Sequence, residues 1–316
     1  MDILRLRPWR LRGPAMLVGL AVAQGAGAAA QSAPRAAVPI APTIERLTLA
    51  DGNGDKFCTA DGALCLSITE QNDPAAPDHR PTFLDIAYRA SADGAAASGA
   101  GAAGAASAEP AAPVVYSMPV PGVDSTGFDN GRLTVWPQII RLAPPADGAE
   151  AGYLIGMLRG YSTMYSGGGG SADRLELFEL FVGGGTPHVT KQVLDLPYTA
   201  NLLIRACFSE ADMEDRRGAC HDEYGFDAVL ALAPRRPRAG APVRMPDLSY
   251  RTIATAYPGF AERNADSLER GRLRQSDLVR RNDPACSYAR TLRFSPASER
   301  YEMNEPAPEC SDYTVP

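Results

Sequence analysis

Apolar and polar residues alternate over many short segments of the chain, and this pattern predicts β-strands. In the clearest segment, Phe226–Leu232, every second residue is apolar, as expected for a strand with one buried face. An apolar run at 202–204 precedes it and predicts a neighbouring strand. Upstream, four similar segments separated by turn residues predict an antiparallel meander over 132–142, 153–162, 174–182 and 191–198, with a flexible glycine-rich hairpin end at 166–171.

The same alternation continues to the end of the chain, whereas helical periodicity is nearly absent. About a dozen strands with long loops predict an all-β, antiparallel fold. Groups of roughly four strands suit either a sandwich of several sheets or a small propeller-like arrangement. Pro137 cannot donate a ladder hydrogen bond, so its strand should lie at an edge or contain a bulge.

One short helix is predicted near 209–217, between the two strands that flank Cys207 and Cys220. Ser209 can cap it by accepting from the amide of Asp212, and acidic residues crowd its first turn. Arg216 and Arg217 follow, just before Gly218. Acidic residues at the start of the helix, basic residues at its end and a glycine that terminates it indicate charges that complement the helix dipole.

The six cysteines predict three disulfides that close local loops. The nearest partners in sequence are Cys58 with Cys65, Cys207 with Cys220, and Cys286 with Cys310. Six cysteines permit fifteen connectivities, so these pairs depend on spacing alone. The close Cys/His spacing of a zinc site is lacking, apart from the Cys220-His221 dipeptide.

The first thirty residues are typical of a secretory signal peptide: arginines, an apolar run at 15–23 and small residues up to position 30. We expect a flexible segment over 31–43 and a single all-β domain over 44–316, interrupted by a disordered alanine- and glycine-rich insertion at 91–113. No later stretch is long enough to span a membrane. The chain is therefore expected in the periplasm of a bacterium or secreted.

The charge excludes one class of partner. The formal net charge is -6, and removal of the first thirty residues, which carry four arginines and one aspartate, makes it more negative. Such a chain is not expected to bind nucleic acid. An unknown protein or a glycan of the cell envelope is the expected partner instead.

A histidine beside carboxylates is the strongest candidate for chemistry. His221 could act as a general base or hold a metal together with Glu223. Strand geometry would place these two side chains on one face and Asp222 on the other. An envelope-directed hydrolase that uses His221 is thus the alternative to a binding protein.

Asp51, Asn53 and Asp55 share the opening of a calcium-binding loop and suggest a calcium-stabilised module as a further alternative. Lys56 and Gly62 stand where an EF-hand requires glycine and glutamate, so an ordinary turn is favoured. No cofactor is indicated by any motif.

Aromatic residues on neighbouring predicted strands indicate a binding surface. If they share one exposed face, flat rings there could stack on sugars or contact a protein. The candidates are Trp136, Tyr153, Tyr161 and Tyr165. The favoured hypothesis is a non-enzymatic binding or structural module that meets its partner through the loops around 207–224.

Overall fold

Antiparallel strands in two sheets make up most of the chain in the computed structural model, which describes residues 41–50, 55–70, 82–89, 112–120, 131–143, 151–183, 186–234 and 245–316. These residues belong to one unit, Pro39–Pro316. Its strands are β1 (Thr43–Arg46), β2 (Thr48–Leu49), β3 (Lys56–Cys58), β4 (Leu64–Glu70), β5 (Thr82–Tyr88), β6 (Val114–Pro119), β7 (Arg132–Arg141), β8 (Ala151–Tyr165), β9 (Gly168–Gly183), β10 (Thr186–Arg205), β11 (His221–Leu232), β12 (Leu248–Tyr257), β13 (Arg281–Asp283), β14 (Ala289–Ser295) and β15 (Arg300–Met303).

The larger sheet has the strand order β1-β7-β8-β9-β10-β11-β12-β14-β15, with β13 beside β12. The smaller sheet has the order β2-β3-β4-β5-β6. The prediction of an all-β, antiparallel fold is confirmed. Of the two arrangements considered, the described strands form two stacked sheets and not a ring of blades.

The meander is longer than its sequence pattern indicated. Two predicted strands, at 191–198 and 202–204, are parts of the continuous strand β10, which shifts register near Val189, Gln192 and Pro197. Each shift is a bulge or irregularity in the pairing with β9, which continues to Ile204, and residues 199–205 pair with β11 along the other edge of the strand. Pro137 likewise lies at a bulge in β7, where the register with β8 shifts between Val135 and Ile139.

The predicted flexible hairpin end at 166–171 is wrong for most of its length. Only Ser166 and Gly167 form the turn, and the glycines from Gly168 onward belong to β9. A Cβ on Gly168 would lie 1.9 Å from the carbonyl oxygen of Leu203. The glycines therefore allow close approach of β9 to β10 at this end of the sheet.

The first hydrophobic core lies between the two sheets. Leu66 and Ile86 of the smaller sheet contribute to it, as do Ile139 and Ile155 of the larger sheet. These four side chains are fully buried. Alternate residues of β4 and β5 face this core, which explains the period-2 pattern of those strands.

A second core lies on the opposite face of β7–β9, because the larger sheet bends back over itself. Leu154 and Leu177 face this side and join one cluster with Phe226 and Leu292 of the later strands. The hydroxyl of Tyr250 in β12 donates to the carbonyl oxygen of Pro197 in β10, at 2.6 Å. As a result β7–β9 are covered on both faces, whereas β11 and β12 bury only one.

All three predicted cysteine pairs are disulfides in the structure. The Cα atoms are 4.0 Å apart for Cys58–Cys65, 4.8 Å for Cys207–Cys220 and 5.8 Å for Cys286–Cys310. The first bridge joins directly paired residues of β3 and β4, and the second closes the loop between β10 and β11. Each bridge therefore restrains a local loop, as the spacing predicted.

Helical structure is limited to short segments. The described helices are α1 (Glu210–Asp215) and α2 (Ser311–Thr314), with 3₁₀-helices at Ser267–Arg270 and Gln275–Asp277. Helix α1 confirms the prediction near 209–217. Among the helices in the described ranges, none has the length and apolar character that crossing a membrane requires.

Candidate functional site

The loop between β10 and β11, closed by Cys207–Cys220, is organised around the capping box of α1. The Ser209 hydroxyl accepts from the amide of Asp212 at 3.1 Å, and the Asp212 carboxylate accepts from the amide of Ser209 at 2.9 Å. The amide of Phe208 donates to the same carboxylate, and these hydrogen bonds lower the pKa of Asp212. The backbone of the loop is thus fixed at the position where the helix starts.

Arg216 holds the other end of the loop from the inside. Its side chain is almost fully buried, and its Nη2 lies 2.5 Å from Oδ1 of Asp222, which is also buried. Nε donates to the carbonyl oxygen of Ala219 at 2.7 Å, and Nη1 donates to the Ser267 hydroxyl at 3.0 Å. Its sequence position alone assigns Arg216 to the helix dipole; in the structure its guanidinium pairs with Asp222 in the interior.

Although the backbone of this loop is well restrained, its large apolar side chains point outward. Phe208 is 64% exposed, and Met213 of α1 is also exposed. The Arg205 guanidinium lies over the Phe208 ring, with its carbon 5.2 Å from the ring centroid. Nε of Arg205 also donates to the carbonyl oxygen of Cys207 at 2.7 Å. A cation–π contact and a hydrogen bond therefore hold Phe208 in place while leaving it open to solvent.

Phe208 belongs to a larger exposed surface at the end of the β8–β9 hairpin. Gly169 of β9 is paired with Met164 on one side and with Leu203 on the other, so the two apolar side chains flank a residue without a Cβ. Met164 is 87% exposed, and Leu203 is also exposed. We call the surface formed by Met164, Tyr165, Leu203, Arg205 and Phe208 the Phe208 patch.

Hydrogen bonds connect the parts of the Phe208 patch. The Tyr165 hydroxyl donates to the carbonyl oxygen of Leu203 at 3.1 Å, and the amide of Arg205 donates to the carbonyl oxygen of Gly167 at 2.5 Å. The hairpin end and the start of the stapled loop are therefore joined through backbone groups. The exposed side chains of the patch are therefore carried by segments that are linked to one another by these hydrogen bonds and by the contact between Arg205 and Phe208.

His221 and its acidic neighbours do not converge. His221 is exposed at the start of β11, paired with Arg205 of β10. Asp222 points into the core toward Arg216, whereas Glu223 forms an ion pair with Arg280 at the surface. No hydrogen bond or ion pair to the His221 imidazole is formed by the residues described. Both neighbouring carboxylates are therefore engaged by arginines, and neither orients the imidazole as a general base would require.

The four aromatic candidates do not share an exposed face. Trp136 is 0% exposed and Tyr153 is 4% exposed, and they face opposite cores. The predicted binding role is wrong for these two residues, because β7 and β8 are covered on both sides. The Tyr161 hydroxyl donates to the carbonyl oxygen of Thr314, so this residue packs beside α2. Only Tyr165 contributes to an exposed surface.

The proposed calcium loop falls largely outside the described residues, since these exclude Asp51 and Asn53. Asp55 is described and is exposed. Within the described ranges, no group of three or more His, Cys, Asp or Glu side chains is placed to hold a metal ion.

Sequence reasoning pointed to Tyr165 and to the loops around 207–224, but it did not single out Met164, Leu203, Arg205 or Phe208. Leu203 lies in an apolar run that also contains the buried Leu202, and Met164 lies in an ordinary strand pattern. Phe208 carried a usable signal, because an aromatic residue next to a cysteine in a short polar loop has little core available to it. Arg216 could be recognised only once the position of Asp222 was known.

Comparisons with protein-family models, with curated proteins and with solved structures found no match.

Proposed function

We propose that this chain is an exported, disulfide-stabilised binding protein and that the Phe208 patch is the surface that contacts its partner. The observation that carries the proposal is the combination of a rigid backbone with exposed apolar side chains in the loop closed by Cys207–Cys220. A disulfide, a capping box and the buried Arg216 all restrain this loop. Pre-organised loops of this kind lose little conformational entropy on binding.

The chemistry of the patch favours a protein partner over a glycan. Methionine and leucine side chains contact apolar protein groups well, whereas sugar binding relies on flat aromatic platforms with neighbouring hydrogen-bond donors and acceptors. Met164 and Leu203 are the non-aromatic apolar residues of the patch, and one face of the Phe208 ring is covered by the Arg205 guanidinium. Arg205 also adds a positive charge, so the partner is expected to present an apolar side chain beside a carboxylate.

The disulfide bonds of the chain agree with an exported protein. Three disulfides account for every cysteine of the chain. Stable disulfides are characteristic of proteins outside the reducing cytoplasm. Together with the signal-like first thirty residues, this supports a periplasmic or secreted protein of a bacterium.

Site-specific photo-crosslinking in the producing cells tests the proposed contact. A photoreactive phenylalanine analogue at position 208 is expected to form a discrete adduct with one protein. The same analogue at Val115, which is equally exposed but lies on the smaller sheet, serves as the matched control. Leu203→Ser should weaken the adduct at position 208. Equal labelling at both positions, or an adduct that is unaffected by Leu203→Ser, would contradict the proposal.

A second variant separates binding from catalysis. His221→Ala should change partner affinity by less than about tenfold, since a residue at the rim of an interface contributes roughly 1 kcal/mol. A catalytic base in the same position would reduce turnover by about a hundredfold or more when replaced. An activity in the purified protein that is lost in His221→Ala would favour the hydrolase alternative.

A further inference from the structure

A cavity of about 300 Å³ lies between the later strands and the segment that follows β15. Leu196 and Phe226 form one wall, and Tyr288 and Met303 form another. Residues 307–311 form the remaining wall, which we call the roof segment. The volume is at the lower end of the range for small-molecule sites, and the lining side chains are mainly apolar.

The roof segment is held in place by several contacts, so the cavity exists before any ligand arrives. Cys310 is bonded to Cys286, which precedes β14. The Arg290 guanidinium donates to the carbonyl oxygen of Pro306 at 3.2 Å, just before the roof segment. Arg263 donates to the carbonyl oxygen of Ser311, the last residue of the roof segment, and to the carbonyl oxygen of Val315 beyond it. A cavity with fixed walls binds a ligand without the cost of ordering them.

Among the described residues that line the cavity, Glu309 is the one with a charged side chain. Its Oε1 accepts from the amide of Ser311 at 2.9 Å, and hydrogen bonds from Ser311 lower the pKa of the Glu309 carboxyl. The carboxylate is exposed and therefore ionised at neutral pH. No basic side chain among the described residues forms an ion pair with it, whereas the nearby Arg290 is paired with Glu305. An apolar cavity with an ionised carboxylate at its edge that has no basic partner among the described residues is complementary to a molecule with an apolar body and a cationic group.

We infer that this cavity is a binding site for a small organic cation, with the apolar part of the ligand against Phe226, Tyr288 and Met303 and its positive charge beside Glu309. The site is separate from the Phe208 patch, because Phe226 lies on the inner, buried side of β11. It therefore does not depend on the proposed protein partner.

The experiment follows the methionine methyl groups of the full chain by NMR during titration with three probes of similar size: 2-phenylethylamine, 2-phenylethanol and phenylacetate. The amine is expected to shift the Met303 methyl resonance in a saturable manner and to bind more tightly than the neutral alcohol, with the anion weakest. The Met164 methyl, which is exposed in the Phe208 patch, serves as an internal control and should not respond.

Two variants assign the effect to the cavity. Glu309→Gln retains an oxygen that can accept from Ser311, and it should weaken amine binding about fivefold, the effect of a contact between unit charges in water, while leaving the alcohol unchanged. Glu302→Gln is the matched control, because Glu302 is exposed on the opposite side of β15 from Met303. Ala307→Phe introduces a large side chain at the roof segment and should reduce binding of both probes.

The melting temperature of each variant establishes that the fold is retained. Absence of a saturable Met303 shift with the amine overturns the inference. So does phenylacetate binding as tightly as the amine, or an equal loss of amine binding in Glu302→Gln and Glu309→Gln. These outcomes are independent of the crosslinking result at position 208.

Discussion

Removal of Asp222 provides the sharpest test of how the stapled loop is held. In Asp222→Ala the Arg216 guanidinium loses its carboxylate, which lies 2.5 Å from Nη2, while its remaining hydrogen bonds go to the neutral groups of Ala219 and Ser267. The two side chains are only 2% and 8% exposed, so water cannot replace the lost partner without local opening. A buried charge left without its counter-ion costs about 3–5 kcal/mol of unfolding free energy.

The assay is reversible unfolding by denaturant and by heat. For a domain of this size, the expected cost corresponds to a decrease in melting temperature of about 10 °C. The double variant Arg216→Met with Asp222→Leu should recover most of the loss, because it removes both charges and retains side-chain volume. Glu214→Ala is the control, since Glu214 pairs with Arg272 at the exposed surface, where such pairs contribute about 1 kcal/mol or less.

A decrease in unfolding free energy of less than about 1 kcal/mol for Asp222→Ala would refute this reasoning. It would mean that Arg216 reaches solvent when its partner is missing, and hence that the loop is not held from the interior. An equal effect of Asp222→Ala and Glu214→Ala would lead to the same conclusion.

Two other substitutions test restraints elsewhere. Changing Cys207 and Cys220 together to serine opens the loop between them. The unfolding free energy, measured by denaturant titration, should decrease by about 3 kcal/mol. An unchanged unfolding midpoint would show that the bridge does not restrain the unfolded chain. Gly156→Ala would place a Cβ 2.8 Å from two atoms of the buried Trp136 and should lower the unfolding free energy by about 1–3 kcal/mol. In the control Gly131→Ala the new Cβ has no atom within 4 Å, so the unfolding free energy should hardly change in the same titration. Equal melting temperatures for the two glycine variants would contradict the tight packing of Trp136.

Local features of the fold were accessible from the sequence. The capping box at Ser209 depends on residues three positions apart, and the disulfide Cys207–Cys220 joins cysteines 13 positions apart in sequence. The buried face of β11 also followed from its pattern, because Phe226 and Leu230 lie on one side of the strand. In each case the determining interactions lie within one turn, one loop or one strand.

Features that depend on the stacking of the two sheets were not accessible in this way. Trp136 and Tyr153 resemble surface aromatics in their strand patterns, yet both are buried because β7 and β8 are covered on two sides. The Phe208 patch likewise combines residues from a hairpin and a loop that are distant in sequence. Which face of a strand is covered depends on partners elsewhere in the chain, so alternation alone does not decide it.

The amino-acid sequence by itself determined most of the strand segments, the short capped helix and the local disulfide pairs, because each depends on residues within one segment or one loop of the chain. Only the tertiary structure decided that Arg216 turns inward to Asp222, that Phe208 stays outside, and that a cavity forms beside Glu309. These outcomes depend on burial and charge pairing between distant segments, which are defined only when the sheets pack together.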